Sequence, residues 1–291
     1  MGCSGYIQLL RPLQWLKNVF VVAPLFFSTN LLNVELLWSV MLTFAAFCLA
    51  SSSVYCFNDI IDREADRLHP RKCHRPVASG RVTVRQAYAV MSLCIALSYV
   101  FAVLSTPSSS FFITIYLLLN LAYSLRLKRY AIVDVMVIAA GFVVRVLSGG
   151  AAAAVPVSGW IVLMTFLLTL FLALAKRSDD YRIYEKTGTV PRVSIVGYNQ
   201  TFINEAVAIA GAVTMVCYIM YTMSEEVIQR MGTRYVYLTS FWVLAALLRY
   251  LQNMIVFGRS GSPTKALVKD YFLQFIIAGW ILSFFFIIYS I

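Results

Sequence analysis

The stretch LTFAAFCLASSSVYC (42–56) contains no charged residue, and it runs directly into FNDIIDREADRLHP (57–70), which places four acids within eight positions. The first part has the composition of a membrane-spanning helix. The whole chain is similar, because 60% of its 291 residues are hydrophobic and 13% are charged. A soluble domain carries about 25% charged residues. The sequence therefore predicts a polytopic, all-α membrane protein.

Apolar segments of about 20 residues, the length that a bilayer requires, recur along the chain. The first of them is the weakest, because Lys17, Asn18 and Pro24 interrupt it. We predict a single integral-membrane domain over residues 1–291, built as a bundle of nine transmembrane helices. The predicted spans lie near 16–33, 36–57, 86–106, 110–126, 131–150, 156–175, 203–223, 235–254 and 271–290.

The loops between these spans alternate between short, nearly uncharged segments and basic segments. Basic loops of membrane proteins face the cytoplasm. We therefore expect a cytoplasmic N-terminus and two cytoplasmic Asp-rich loops, near 58–85 and 176–200. The net charge of +11 reflects this loop pattern, and no soluble basic domain is available to bind nucleic acid.

The acids of the first loop have the spacing of a metal site. Asn58, Asp62 and Asp66 recur every four residues and Asp59 lies three before Asp62, so a helix would place them on nearly one face. Carboxylates in such a row repel one another unless a cation lies between them. Their hard oxygens suit Mg²⁺, which usually binds one or two carboxylates together with substrate phosphate oxygens.

The same row has a second interpretation, as a solvated helix end with local Asp–Arg pairs that are nearly neutral in energy. A diphosphate also needs cationic side chains around it. Arg71, Lys72 and Arg75 follow the acids directly, and they favour a Mg²⁺–diphosphate site at the cytoplasmic end of the bundle.

NDIIDREAD (58–66) resembles the NDxxDxxxD motif of the UbiA superfamily of intramembrane prenyltransferases, and RPVASGRVT (75–83) and YSLRLKR (123–129) are also similar to that family. The resemblance implies a helical bundle with a lateral opening to lipid, an isoprenoid substrate and Mg²⁺ as cofactor. The predicted metal ligands are Asn58, Asp62 and Asp66, and the predicted catalytic residues are Asp59, Asp62, Asp66 and Asp134.

Three further stretches resemble one branch of the superfamily, the decaprenyl-phosphate phosphoribosyltransferases: residues 10–18, 133–152 and 172–188. This resemblance implies 5-phosphoribosyl 1-diphosphate and a polyprenyl phosphate as substrates. The chain departs from ubiquinone- and heme-type members in the loop after the sixth predicted span. That loop reads KRSDDYRIYEKTG (176–188) and lacks a DxxxD motif, so a second full metal site for a prenyl diphosphate is not predicted, whereas its basic start suits a phosphate.

Polar residues within or next to the spans complete the candidate site. Charges within spans usually face a cavity or a partner, so Asp134 and Arg145 either serve the substrate or make structural contacts. Lys17 either holds a phosphate or extends to the lipid headgroups, and Tyr123 is otherwise an interfacial anchor. The predicted substrate-binding residues are Lys17, Asn18, Arg71, Arg75, Tyr123, Lys128, Arg145, Lys176, Arg177 and Asp180.

The resulting functional hypothesis is a Mg²⁺-dependent pentosyl transfer that feeds lipid-linked sugar synthesis for the cell envelope, in a bacterial plasma membrane. One alternative is prenyl transfer from an isoprenoid diphosphate to an aromatic or quinone precursor. A non-enzyme alternative is a transporter, which would place acids at mid-membrane depth. The sequence predicts no nucleic-acid partner and leaves open a homo-oligomer.

Overall fold

The computed structural model describes residues 3–28, 30–68, 72–188, 190, 192–258 and 268–289. Most of these residues are helical and none forms a strand, which confirms the all-α prediction. Its α-helices are α1 Cys3–Leu10, α2 Ala23–Phe26, α3 Val34–Ile61, α4 Arg63–Leu68, α5 Val84–Ser105, α6 Pro107–Leu125, α7 Val133–Ala152, α8 Gly159–Thr187, α9 Gln200–Thr222, α10 Glu225–Met231, α11 Ser240–Ile255 and α12 Tyr271–Tyr289. Short 3-10 helices cover Pro12–Val21, Leu127–Arg129, Val193–Gly197 and Tyr235–Thr239.

Among the described residues, six helices are long and apolar enough to cross a membrane, namely α3, α5, α6, α7, α8 and α9. They match six of the predicted spans. The predicted span near 16–33 is instead a 3-10 helix followed by the short helix α2, with Pro12 and Pro24 in their first turns. The predicted span near 235–254 begins as a 3-10 helix, which leaves 16 residues for α11. The count of nine transmembrane helices is therefore not confirmed.

The chain divides into two compact units, and the single-domain boundary remains a prediction. Unit 1 comprises Met1–Leu125 and Val144–Val157, and unit 2 comprises Arg126–Val143 and Ser158–Ile291. Helix α7 thus contributes its first part to unit 2 and its last part to unit 1.

In unit 1, α3 packs against α5 and α6 around a core that includes Phe47 and Ile113. Helix α3 begins where the Asn33 side chain accepts hydrogen bonds from two backbone N–H groups, and Thr83 with Gln86 forms a capping box at the start of α5. Such caps satisfy donors that a helix start leaves open. They fix the register in which these apolar helices begin.

A close backbone approach joins α7 to the first 3-10 helix in unit 1. A Cβ added at Gly149 would lie 1.9 Å from the backbone oxygen of Val21, which only glycine avoids. The same 3-10 helix is tied to α3, because Trp15 Nε1 donates to Ser52 Oγ over 3.0 Å. These contacts hold the LRPLQWLKN segment (10–18) against the helix that carries the acids.

In unit 2, α8 packs against α9, and α11 packs against α9 and α12. The core includes Phe171 and Leu247. Helix α8 ends at Gly188, whose φ of 66° is the left-handed conformation that glycine adopts readily. The polar segment 176–187 is therefore a helical extension of the apolar span, so the prediction of a loop at this position is wrong.

Candidate functional site

The acidic row in unit 1 lies at the junction of α3 and α4. Helix α3 ends at Ile61 and α4 begins at Arg63, so the predicted single helix is interrupted at Asp62. The four-residue repeat is nevertheless retained, because Asp62 N donates to the Asn58 carbonyl over 2.9 Å and Asp66 N donates to the Asp62 carbonyl over 2.7 Å. Asp62 remains partly exposed.

Two arginines neutralise the buried acids of this row. Asp59 and Asp66 are 1% and 3% exposed. Arg75 Nη1 lies 2.6 Å from Asp66 Oδ2 and 3.4 Å from Asp59 Oδ1, and Arg11 Nη2 also donates to Asp59 Oδ1. Arg11 stacks on Tyr55, with 4.7 Å between the guanidinium carbon and the ring centroid. Arg75 therefore occupies the place of a shared cation between Asp59 and Asp66.

The oxygen chemistry of this cluster fits Mg²⁺. Asp59 Oδ2 is buried and has no hydrogen-bond partner in the described part of the chain, and a bound ion or water is one of the ways in which such an atom is satisfied. Within the described residues, no group of three His, Cys, Asp or Glu side chains is arranged to hold a metal ion. An ion here would thus rely on Asn58, Asp62 and Asp66 together with substrate oxygens, as Mg²⁺ commonly does. Arg71, which was predicted to bind substrate, lies outside the described residues.

Asn18 and Arg145, both predicted to bind substrate, contact each other in unit 1. Arg145 Nε donates to Asn18 Oδ1 over 2.8 Å, and its Nη2 donates to the Tyr116 hydroxyl over 3.1 Å. The guanidinium also stacks on Tyr116 and Phe47. Asn18 is fully buried and Arg145 is 6% exposed. This geometry favours the structural interpretation of both residues, while Lys17 beside them stays partly exposed.

Asp134 is the centre of a buried polar cluster in unit 2. Its Oδ2 accepts hydrogen bonds from Arg177 Nε and Ser194 Oγ, each over 2.9 Å. Its Oδ1 accepts a hydrogen bond from the Tyr198 hydroxyl over 2.8 Å. Burial, which outweighs the opposing hydrogen bond from the Ile132 N–H, raises the pKa of the Tyr198 phenol, so the hydroxyl stays protonated and donates. With both oxygens engaged, Asp134 is placed to orient other residues.

The ion pairs of this cluster continue towards the protein surface. Arg177 Nη1 lies 3.2 Å from Asp180 Oδ2, and Arg192 Nε lies 3.1 Å from the same oxygen. Arg177 itself is fully buried, whereas Asp180 and Arg192 are 15% and 32% exposed. Arg192 is thus better placed than Arg177 to reach a substrate phosphate.

Tyr123 and Lys128 are partly exposed and belong to different units. Tyr123 lies on α6 and Lys128 on the 3-10 turn Leu127–Arg129. Lys176 is also partly exposed, at the polar end of α8. The roles of all three remain predictions.

Sequence reasoning missed four residues that organise these clusters: Arg11, Arg192, Ser194 and Tyr198. The position of Arg11 before Pro12, in a segment already singled out, was a usable signal. Ser194 and Tyr198 gave none, because they contact Asp134 across 60 and 64 residues of sequence.

Comparison with known proteins agrees with the fold and with the sequence motifs. Residues 19–255 match the model of the UbiA prenyltransferase family. The chain therefore belongs to the UbiA prenyltransferase family, an integral-membrane family of transferases, and the recognition made from its motifs is confirmed.

The curated proteins that this chain resembles have names more specific than that of the family. The decaprenyl-phosphate phosphoribosyltransferase of Mycolicibacterium smegmatis is 32% identical over 288 residues, which cover 96% of this chain and 90% of the relative. The enzyme of the same name from Corynebacterium glutamicum is 31% identical over 284 residues, covering 96% and 85%.

The fold has a solved counterpart. The structure of a UbiA homolog from Archaeoglobus fulgidus bound to GPP and Mg²⁺ aligns with a TM-score of 0.71 and 20% identity, covering 99% of this chain and all of that one. At this identity the match supports the fold.

Proposed function

We propose that this protein transfers the 5-phosphoribosyl group of 5-phosphoribosyl 1-diphosphate to a polyprenyl phosphate and releases diphosphate. The observation that carries the proposal is the 32% identity to a decaprenyl-phosphate phosphoribosyltransferase over 96% of the chain. The departure at KRSDDY (176–181) supports the same choice, because the second acid motif of a prenyl-diphosphate site is incomplete.

In unit 1, the acidic row binds Mg²⁺ through Asn58, Asp62 and Asp66. When bound, the ion would neutralise the negative charge that develops on the leaving diphosphate. Asp59 keeps its ion pair with Arg11 and holds that arginine beside the row. Arg75 releases Asp66 and binds the diphosphate oxygens instead. A guanidinium suits this exchange because it pairs with carboxylate and phosphate in the same geometry.

In unit 2, Lys128, Lys176 and Arg192 bind phosphate groups of the substrates, and Asp180 orients Arg192. The phosphate oxygen of the lipid forms a bond to the anomeric carbon as the bond from that carbon to the diphosphate breaks. The attacking oxygen is already anionic, so no general base is required, and catalysis rests on positioning.

We further propose nine spans in one domain, with the N-terminus and both Asp-rich segments cytoplasmic, in a bacterial plasma membrane. The cytoplasm supplies the water-soluble sugar diphosphate, and the bilayer supplies the lipid. The product is a lipid-linked pentose phosphate suited to cell-envelope synthesis.

The direct test incubates purified protein with Mg²⁺, labelled 5-phosphoribosyl 1-diphosphate and a polyprenyl phosphate, and measures label in the lipid fraction. A parallel reaction receives a prenyl diphosphate and 4-hydroxybenzoate. Labelled lipid in the first reaction alone supports the proposal, and prenylated benzoate in the second would replace it with the prenyl-transfer alternative.

Asp62→Asn is the sharpest variant for this assay. We expect transfer to fall at least about a hundredfold, as when a residue that positions a catalytic metal is lost, with an unchanged melting temperature because Asp62 is partly exposed. Glu64→Gln is the matched control, since it makes the same charge change on a side chain that is 75% exposed. Near-normal transfer by the Asp62 variant would refute the metal role.

A further inference from the structure

The turn that precedes α7 is strained at Ile132, and a tyrosine side chain accepts a hydrogen bond from this residue. Ile132 has a φ of 69°, a conformation in which a β-branched residue is a genuine outlier. Its backbone N–H donates to the Tyr198 hydroxyl over 2.7 Å. Strain of this kind persists only where the surrounding structure fixes it, and it is concentrated at functional sites.

The Tyr198 hydroxyl makes two bonds at once. It accepts from the Ile132 N–H and donates to Asp134 Oδ1 over 2.8 Å. Tyr198 is 5% exposed, so bulk water does not compete for either bond in the native structure. One atom therefore couples the strained turn to the carboxylate that holds Arg177.

The packing around this bond is tight. A Cβ added at Gly197, next to Tyr198, would lie 2.7 Å from Ala131 Cβ, so the backbone before α9 lies directly against the turn. Ser194, in the same 3-10 helix, donates to Asp134. The segment Val193–Tyr198 thus contacts the turn at residues 131 and 132, and the start of α7 at Asp134.

The turn carries the basic run Arg126, Lys128 and Arg129. Arg126 and Arg129 are exposed and Lys128 is partly exposed. Three cations on one short turn form a surface that suits a phosphate group, provided that the backbone is held in place. The proposed metal site explains neither the strain at Ile132 nor the hydrogen bond between the Ile132 N–H and the Tyr198 hydroxyl.

We propose that Tyr198 is a positioning residue, whose hydroxyl holds the turn 126–132 and Asp134 in place so that the basic turn binds a substrate phosphate. The proposal rests on the proposed function for the identity of that phosphate, which belongs either to the sugar diphosphate or to the polyprenyl phosphate. The bond itself does not depend on the reaction.

The test compares Tyr198→Phe with Tyr250→Phe. Tyr250 is also 5% exposed and lies in unit 2, but its hydroxyl has no hydrogen-bond partner among the described residues. Hydrogen exchange of residues 126–134 is measured with and without inorganic phosphate, and KM is measured for each substrate separately, well below the melting temperature of each variant.

We expect faster exchange at 126–134 in Tyr198→Phe and less protection by phosphate than in the wild type and the control. We also expect KM for one substrate to rise about five- to tenfold, the change typical of losing one buried hydrogen bond, with kcat within about twofold. The substrate whose KM rises identifies the source of the phosphate. Unchanged exchange, or a fall in kcat with both KM values unchanged, would overturn the proposal.

Adding Ile132→Gly to Tyr198→Phe provides an independent arm, because glycine adopts a positive φ without strain. We expect the double variant to regain most of the wild-type KM, and it replaces the single variant if that one does not fold. If phosphate protects residues 126–134 of the double variant no better than those of Tyr198→Phe, the role of the strained turn is contradicted. If wild-type protein makes no labelled lipid, the proposed function fails while the exchange measurements still test the bond.

Discussion

At the scale of single residues, Arg75 determines how the charge of the acidic row is neutralised. Its guanidinium lies between Asp59 and Asp66, two buried carboxylates that would otherwise repel each other. In the proposed metal site, a divalent cation would also bind Asp66. The proposal therefore implies competition between Arg75 and the metal ion for this carboxylate.

Replacement of Arg75 by Met should therefore strengthen metal binding and weaken transfer. Without the guanidinium, we expect Mn²⁺, used as a paramagnetic substitute for Mg²⁺, to bind about tenfold more tightly, which corresponds to about 1.4 kcal/mol. Transfer should fall because Arg75 no longer holds the diphosphate. Titration of substrate-free protein followed by electron paramagnetic resonance measures the affinity.

Arg230→Met is the control for this experiment, because it also removes an arginine from an ion pair, the exposed pair with Glu226. It should leave Mn²⁺ affinity unchanged. Weaker or equal Mn²⁺ binding by the Arg75 variant would show that the arginine does not compete with the metal.

At the scale of elements, the start of α12 depends on one carboxylate. Asp270 pairs with Arg249 over 2.8 Å, accepts from Asn253 over 2.6 Å and caps the N–H groups of Phe272 and Leu273. Burial acts to raise the pKa of Asp270, but these hydrogen bonds outweigh it and lower the pKa to about 2. The carboxylate thus links α11 to the first turn of α12.

Asp270→Asn should reduce stability in a pH-dependent way. A depressed folded-state pKa contributes stability that is complete above the unfolded value of about 3.9 and is lost as pH falls towards 2. We expect the variant to lose about 1 kcal/mol at pH 7, because solvent screens part of the effect of the pKa shift, and the difference from the wild type to shrink below pH 4. Unfolding in detergent at several pH values measures both.

Glu226→Gln, which breaks an exposed ion pair on α10, should change stability by less than about 0.5 kcal/mol at any pH. A pH-independent loss for the Asp270 variant would mean that the side-chain shape, and not the charge, holds the start of α12.

The close contact between α7 and the first 3-10 helix in unit 1 can be tested at Gly149, with Gly159 in unit 2 as the control. Gly149→Ala places a methyl group 1.9 Å from the Val21 oxygen, so α7 or the 3-10 helix must move, at about 1–3 kcal/mol. Gly159→Ala, at the start of α8, meets no atom within 4 Å and should be neutral or slightly stabilising. Equal melting temperatures for the two variants would contradict the close contact.

At the scale of the whole molecule, the number of membrane crossings remains to be measured. Six described helices meet the length and hydropathy of a span, whereas we propose nine spans. An odd number places the two ends of this chain on opposite sides of the membrane. Reporter fusions should therefore find the N-terminus in the cytoplasm and the C-terminus outside it, and two cytoplasmic ends would require an even number.

The local arrangement of the acidic row could be predicted because its residues are close in sequence, whereas their roles stay predictions. Asn58, Asp62 and Asp66 form a local repeat, and hydrogen bonds across one helical turn preserve it. Two partners of Asp134, Ser194 and Tyr198, could not be predicted, since they lie in and directly after a 3-10 helix about 60 residues away. For Arg177, the charge suggested a phosphate ligand, but complete burial against Asp134 makes it an internal counter-ion.

The sequence by itself determined the membrane class, the positions of the six long spans and the acidic motif. These follow from hydropathy and helical periodicity, which act over a few turns of one segment. Only the tertiary structure decided which arginine neutralises which acid, why Arg145 contacts Asn18, and why Ile132 holds a strained conformation. Those outcomes depend on burial and on long-range contacts, because a charge removed from water takes the partner that folding brings to it.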